Sequence, residues 1–288
     1  MVEHWSGPFG EVDPGLVTSH MSRTRSALLS GAVSANSKHK GPDVGFGIDI
    51  GGSGMKAAPV DLRTGELVEE RLRVDTPKPA TPEAMAKVVA DLVAHFKWKR
   101  PIGVAFPAVI RRGVAESAAN IDSSWIGTDA DALFTNASGQ LVHVINDADA
   151  AGVAELRYGV AAGRKGVVLM LTFGTGIGSG LFVDGMLVPN TELGHLELDG
   201  VDAESRASAA VRDREDLSWQ EWAGRVDRYL DHVVALVSPD LIVVGGGASK
   251  RAEKWLPHLS IDTEIAVAKM FNTAGIVGAA AIGHEHAS

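Results

Sequence analysis

Two hydrophobic rhythms alternate along the chain, and the switches between them mark its elements. From Val44 the run VGFGIDI is almost continuously apolar and reads as a buried strand, GMKAAPVDL as a second, RTGE as a turn and LVEERLRV as a third. Turns this short between consecutive strands predict an antiparallel meander. The rhythm then lengthens. TPEAMAKVVADLVAHFKWK reads as a helix with Thr81 as N-cap, Pro82 at its first position, and Val88, Leu92 and Phe96 at helical spacing. PIGVAFP is another buried strand, AANIDSSW a loop, LVHVI a strand and ADAAGVAELRY a helix. VVLMLTF, SGLFV and MLVP predict three more strands, the last two joined by the hairpin signal Asp184-Gly185. The clearest helix is SWQEWAGRVDRYLDHVVALV. Ser218 and Glu221 form a capping box, and Trp222, Val226, Tyr229, Val233 and Val237 line one face. DLIVVGGG is a strand ending in glycines, and AGIVGAAAIG a small-residue helix.

One unit occurs twice, a strand, a glycine turn and a second strand, at 44–60 and again at 167–183. It predicts two similar α/β halves with a cleft between them. The expected division is a small α/β domain over 43–146, completed by the C-terminal helix at 273–288, and a large one over 147–272. Residues 1–42, rich in Ser, Gly and Pro with little periodicity, read as a disordered extension.

Composition narrows the function classes. The 288 residues are 45% hydrophobic and 22% charged, which is ordinary for a globular chain. No apolar run approaches the ~18 residues of a membrane span. A net charge of -9 argues against a non-specific nucleic-acid binder. A polyanion would have to be met by a local cluster of Lys, Arg and backbone N–H groups. The absence of cysteine excludes disulfides and thiolate metal sites and fits a reducing cytoplasm.

Candidate chemistry lies at the junctions. In DIGGSGMK, Gly51, Gly52 and Gly54 let the backbone bring N–H groups close to an anion. There Ser53 adds a hydroxyl, Lys56 a positive charge, and Asp49 a carboxylate able to hold Mg²⁺ through water. The G-x-x-x-x-G-K-[ST] spacing of a Walker A loop is missing, and a plain hairpin turn is the competing reading. TFGTGIGSG contains G-x-G, but a dinucleotide site needs a helix next, and a strand follows instead. Gly174, Thr175 and Gly176 therefore suit a second phosphate clamp. Gly246 and Gly247 follow a buried strand, at the sheet end where ligands of α/β proteins bind.

Asn146 and Asp147 stand where LVHVI stops and a helix begins. An aspartate there is a good N-cap, but Asp149 can do that work as well and leaves Asp147 free for proton transfer. In ELGHLELDG, Glu192 and His195 suit either a metal or the vicinal hydroxyls of a sugar. A metal would want further ligands.

Taken together and in order, Asp49-Ile-Gly-Gly-Ser, Asn146-Asp147, Gly174-Thr-Gly-Ile-Gly, Glu192-Leu-Gly-His195 and glycines 245–247 resemble the ROK family of sugar kinases, over about residues 44–283. AANIDSSWIGTD and GHLELDGVDAESRASAA resemble its bacterial polyphosphate glucokinase branch. The resemblance implies an actin-like, ribonuclease H-like, two-lobed α/β fold with a central cleft. It implies Asp147 as catalytic base, and Asn146, Glu192, His195 and Glu204 as ligands of glucose hydroxyls, with Asn120 in a loop beside the sugar. It also implies polyphosphate or ATP as donor, Mg²⁺, and a homodimer in the cytoplasm. The Cys-rich zinc segment of many members is missing, so zinc is not expected. Neither nucleic acid nor membrane is an expected partner.

The expected activity is phosphoryl transfer from polyphosphate, with ATP also usable, to the 6-hydroxyl of glucose. Lys56, Arg111, Arg112, Arg164, Lys165, Lys250 and Arg251 are candidates for a polyphosphate track. The alternatives are an ATP-dependent hexokinase acting on glucose or mannose, a non-catalytic sugar sensor, a repressor and an actin-like scaffold. A repressor would need a helix-turn-helix domain that residues 1–42 are too short and too poorly patterned to supply.

Overall fold

The computed structural model describes Gly41, residues 43–119 and residues 121–286. The extension expected over 1–42, Gly41 apart, and the candidate Asn120 lie outside the described residues.

β1 (Val44–Ile50) and β2 (Gly54–Asp61) pair antiparallel across the first glycine turn, with Asp49 opposite Lys56. The third strand expected over LVEERLRV is instead two, β3 (Glu66–Leu67) and β4 (Leu72–Asp75), which pair with opposite ends of β2. Pro59 explains the break. It sits between the two paired stretches of β2 and has no N–H to give that edge, although its carbonyl still accepts from the Val68 N–H at 2.9 Å. α1 (Pro82–His95) is capped by Thr81 as expected and buries Met85, Val89, Leu92 and Val93, with Val88 only half-buried. It stops four residues before the predicted end, where Lys97 turns to φ 49°.

β5 (Ile102–Phe106) runs parallel to β1. A small hairpin follows, β6 (Ile110–Arg111) with β7 (Val114–Ala115). Next comes α2 (Ala130–Ser138), a helix the periodicity did not reveal, capped by Asp129 and stopped by Gly139 at φ 68°. β8 (Val142–Asn146) then pairs parallel with β5. The sheet order is β3-β2-β1-β5-β8, with β4 also on β2.

The second half repeats this plan. α3 (Asp147–Tyr158) leads to β9 (Val167–Phe173), β10 (Ile177–Val183) and β11 (Met186–Val188), an antiparallel meander. A hairpin of β12 (Glu197–Leu198) and β13 (Val201–Asp202) precedes α4 (Glu204–Ala207), α5 (Ala209–Arg214) and α6 (Trp219–Val237). The capping box of Ser218 and Glu221 is formed. β14 (Leu241–Gly245) and β15 (Ile265–Val267) add parallel to β9, giving the order β11-β10-β9-β14-β15. α7 (Ala274–Glu285) comes last.

Among the described residues the three larger hydrophobic clusters stack as layers. α1 and α2 cover the outer face of the first sheet, and α6 that of the second. Between the sheets, α3 and α7 share one core with Val60 of β2, Met170 of β9 and Val243 of β14. The inner layer is unusually close. A Cβ on Gly47 would lie 1.8 Å from the Ile276 carbonyl, one on Gly103 1.7 Å from that of Ala279, and one on Gly278 1.8 Å from that of Ala150. α7 thus rests backbone to backbone on β1 and β5, which only glycine permits, and α3 is pressed against it.

Candidate active site

The ends of β1, β8, β9 and β14 open on one cleft, a cavity of about 620 Å³. Its lining joins residues from distant parts of the chain: Gly51, Gly52 and Ser53 from the first turn; Asn146 and Asp147; Gly174, Thr175 and Gly176 from the second turn; Glu192, His195 and Glu204; and Gly246. Of the other candidates, Gly54, Lys56 and Gly247 do not line it, and neither does Asp49, although its charge reaches Asp147. A larger cavity of about 680 Å³ lies beside α4 and α6. Two of its arginines are neutralised, Arg225 by Glu215 at 2.8 Å and Arg228 by Asp199 at 3.0 Å.

The two glycine turns are built alike. In the first, the Gly51 N–H closes onto the Gly54 carbonyl at 3.1 Å, while Thr76 Oγ1 and Arg73 hold the Gly51 and Ser53 carbonyls from outside. In the second, the Gly174 N–H closes onto the Gly176 carbonyl at 3.0 Å, and the Ala210 N–H holds the Gly174 carbonyl. Each turn leaves two N–H groups without an acceptor among the described residues, those of Gly52 and Ser53 and those of Thr175 and Gly176. Backbone donors exposed in this way are an anion site. The second turn is also rigid. Phe173, just before it, wedges edge-on among Trp222, Tyr229 and Trp255, and the Trp222 indole N–H anchors the start of α5 through the carbonyls of Ala207 and Ser208. Gly246 closes the far side at φ 76°, where a Cβ would stand 2.5 Å from the Phe173 carbonyl.

Asn146 caps α3. Its Oδ1 accepts from the N–H groups of Ala148 (2.9 Å) and Asp149 (3.1 Å), and its Nδ2 donates to the Ala108 carbonyl. The cap is therefore Asn146, and neither Asp147 nor Asp149, the two aspartates able to do that work, supplies it. One amide hydrogen of Asn146 remains for the cavity. Asp149 points inward instead, fully buried, with Oδ2 accepting from the Asn190 N–H at 2.8 Å and Oδ1 without a partner among the described residues.

Asp147, at the first position of α3, sits deep in the cleft. Burial, the charge of Asp49 and the charge of Glu192 push its carboxyl up to about 7, against the pull of the Ala148 N–H. Burial likewise pushes Asp149 up to about 7. Glu192 is raised by burial, with His195 pulling the other way. His195 is raised first of all by its hydrogen bond to Asp202. Glu204 accepts from the Ile177 N–H at 2.9 Å, which ties it to the second turn. A carboxyl titrating near 7, facing hydrogen-bonding groups on one side and anion donors on the other, can take a proton from a bound hydroxyl at neutral pH.

Asp49 spends Oδ2 on the Lys56 ammonium at 2.9 Å. Lys56 is thus committed to a carboxylate and not to the cavity. The charge of Asp49 still reaches Asp147, and both carboxylates offer hard oxygen. That donor set suits Mg²⁺ met through water. Among the track candidates, Arg111 faces Glu116 and Arg164 pairs with Glu264, while Lys250 and Arg251 follow Gly246 exposed on a 3₁₀ turn.

The sequence reading missed the wall Pro107–Val109 with Ser117 and Ala119. It missed Asn190, whose amide makes two 2.8 Å bonds with the N–H and carbonyl of Ile110. It also missed Asp202. The Asp199-Gly200 pair was the available signal for that residue, because it turns the chain back on His195.

Comparison with known proteins matches residues 45–211 to the ROK family model. The polyphosphate glucokinase of Mycobacterium tuberculosis (strain ATCC 25618 / H37Rv) is 50% identical over 237 residues, covering 82% of this chain and 89% of the relative. That of Mycobacterium leprae (strain TN) is 47% identical over 257 residues, covering 89% and 78%. The crystal structure of the inorganic polyphosphate/ATP-glucomannokinase from Arthrobacter sp. strain KM superposes with a TM-score of 0.80 at 54% identity, covering 84% of this chain and 98% of that one. The ROK glucokinase of Streptomyces griseus, solved with glucose and AMPPNP, shares the fold at TM-score 0.73 and 22% identity, covering 84% and 99%. The architecture is that of the actin-like sugar kinases.

Proposed function

The chain belongs to the ROK family, and from that membership we propose that it is a polyphosphate-dependent glucokinase, transferring a terminal phosphoryl group to the 6-hydroxyl of glucose, with ATP as a second donor. It is a phosphotransferase with an alcohol acceptor. The observation that carries the reading is the meeting, around one cavity, of Asp147, the trio Glu192, His195 and Glu204, and two turns with unused N–H donors.

In this reading the sugar lies against Asn146, Glu192, His195 and Glu204, with its 6-hydroxyl on Asp147. The donor's last phosphoryl group rests between the two turns. The hydroxyl oxygen attacks phosphorus, and the bridging P–O bond breaks. The shortened polyphosphate, or ADP, leaves with the electron pair, and the proton passes to Asp147. Phosphoryl transfer asks mainly for in-line positioning and for charge stabilisation. The rigid N–H groups of Gly52, Ser53, Thr175 and Gly176 supply both. Mg²⁺, when bound, spreads the donor's negative charge, and Asp49 would hold it through water. Two sheets meeting at the cleft also suit closure over the substrates, which excludes water as a competing acceptor.

Mannose is the second acceptor to test, because the Arthrobacter neighbour at 54% identity is a glucomannokinase. The experiment is glucose 6-phosphate formation by the purified chain with polyphosphate and with ATP, each against an Asp147→Asn control. Absence of product from polyphosphate removes the donor assignment. Equal turnover by the control removes the base.

A further inference from the structure

Asp202 stands outside every role given above, yet two of the sugar-facing residues converge on it. β12 and β13 form a hairpin whose turn, Asp199 at φ 55° and Gly200 at φ 78°, is of the tight two-residue kind that suits twisted strands. The turn sets Asp202 opposite Glu197, and so beside the segment that begins at His195. Arg228 of α6 tethers the tip through Asp199, and the Ala203 N–H bonds the Leu196 carbonyl at 2.9 Å across the base. Within this frame Asp202 uses both oxygens. Oδ2 lies 2.7 Å from His195 Nδ1, and Oδ1 accepts from the Glu204 N–H at 3.1 Å.

We infer that Asp202 is a positioning residue for the sugar: one carboxylate sets the ring of His195 with one oxygen and the start of α4, which carries Glu204, with the other. The inference rests on the kinase reading of the cleft. An ionised carboxylate accepts and does not donate, so it selects the Nδ1–H form of the imidazole. Nε2 is then the ring nitrogen left for a hydroxyl. Glu204 is itself fixed by the Ile177 N–H, so Nε2 and the Glu204 carboxylate form a pre-set pair, suited to adjacent hydroxyls of a pyranose. The acidic groups facing His195 are Asp202, Glu204 and Glu192. All of them favour its protonated form, and burial opposes them.

The test uses the full chain in the presence of a chelator. Nitrogen-15 spectra of the imidazoles, with His195 assigned by its loss in His195→Gln, report tautomer and titration without any turnover. Wild type is expected to hold Nδ1–H. Asp202→Asn is expected to shift His195 toward Nε2–H and to lower its titration midpoint. The same variant should raise the glucose KM roughly tenfold, the loss expected for a charge-assisted hydrogen bond, while kcat and the polyphosphate KM stay within about twofold. Asp202→Glu should recover part of the glucose KM. Glu285→Gln removes an exposed ion pair with Arg157 outside the hairpin and the cleft, and should change neither reading. An unchanged tautomer, or an unchanged glucose KM beside a shifted tautomer, overturns the inference. A wild type that phosphorylates no hexose sinks the kinase reading instead, and the spectra still decide whether Asp202 governs His195.

Discussion

Replacing Asp147 by asparagine should make the protein both slower and more stable, and the two effects have one cause. In the folded chain the Asp147 carboxyl titrates near 7, against 3.8 when unperturbed. Ionising it in the cleft therefore costs on the order of 4 kcal/mol relative to the unfolded chain. Between those two values the unfolded state binds fewer protons, so wild-type stability falls as pH rises through the window and levels off above about 7. The amide of the variant cannot ionise and escapes that decline. About 3 kcal/mol of the difference develops between about pH 5 and pH 8.5. For a chain of this size that is roughly 6–12 °C in Tm. Removing the charge also relieves Asp149, which Asp147 pushes in the same direction, and this adds to the gain. The assay is calorimetric melting of both proteins, without sugar, at several pH values, together with initial rates of glucose phosphorylation. Turnover should drop by roughly 10²–10⁴-fold. A Tm difference that is the same at pH 5 and pH 8.5 would refute the claim that this carboxylate is held under electrostatic strain.

Three further outcomes follow from the same structure. The wild-type kcat/KM for glucose should fall about tenfold per pH unit below about 7, as the base of the free protein becomes protonated, and the residual rate of Asp147→Asn should lack that limb; a pH series of initial rates measures both. Asn190→Ala removes both bonds to Ile110, where the residue sits at φ 59°, and should lose about 2 kcal/mol of stability in urea titration and raise the glucose KM, since the Glu192 segment starts there. Gly278→Ala puts a methyl group 1.8 Å from the Ala150 carbonyl and should lose at least about 3 kcal/mol by the same titration; a loss below about 1 kcal/mol would show that α3 and α7 are free to part.

Most of the fold was legible because its elements advertise themselves. β9 begins and ends where VVLMLTF does, and α6 carries its capping box in plain view. What escaped was set by pairing and not by pattern. LVEERLRV begins and ends with strand-forming residues, but Val68 near its start meets Pro59, a fact held in a different strand. α2 escaped because its nine residues bury only Ala130 and Phe134, too sparse a stripe to show a period. The site was legible as separate turns and polar pairs, and the family resemblance supplied their order. Which side chains were already spent was not legible. Lys56 reads as a free cation until the register sets it opposite Asp49, and Asn146 reads as a wholly free amide until α3 takes its oxygen as a cap and leaves one N–H for the cavity. Asp202 lay in a segment too short for periodicity, and only its turn dipeptide pointed back to His195.

The seating of α7 has a consequence for how the protein is made. β1 and β5 form the floor on which this helix lies, yet Gly47 leaves the ribosome about 230 residues ahead of Ile276. At about 5–20 residues per second that is roughly ten to fifty seconds. Through that interval the glycine surface of β1 and β5 lacks the helix that covers it in the finished protein. The inner layer is therefore completed only when α7 has emerged and drops into the glycine trough.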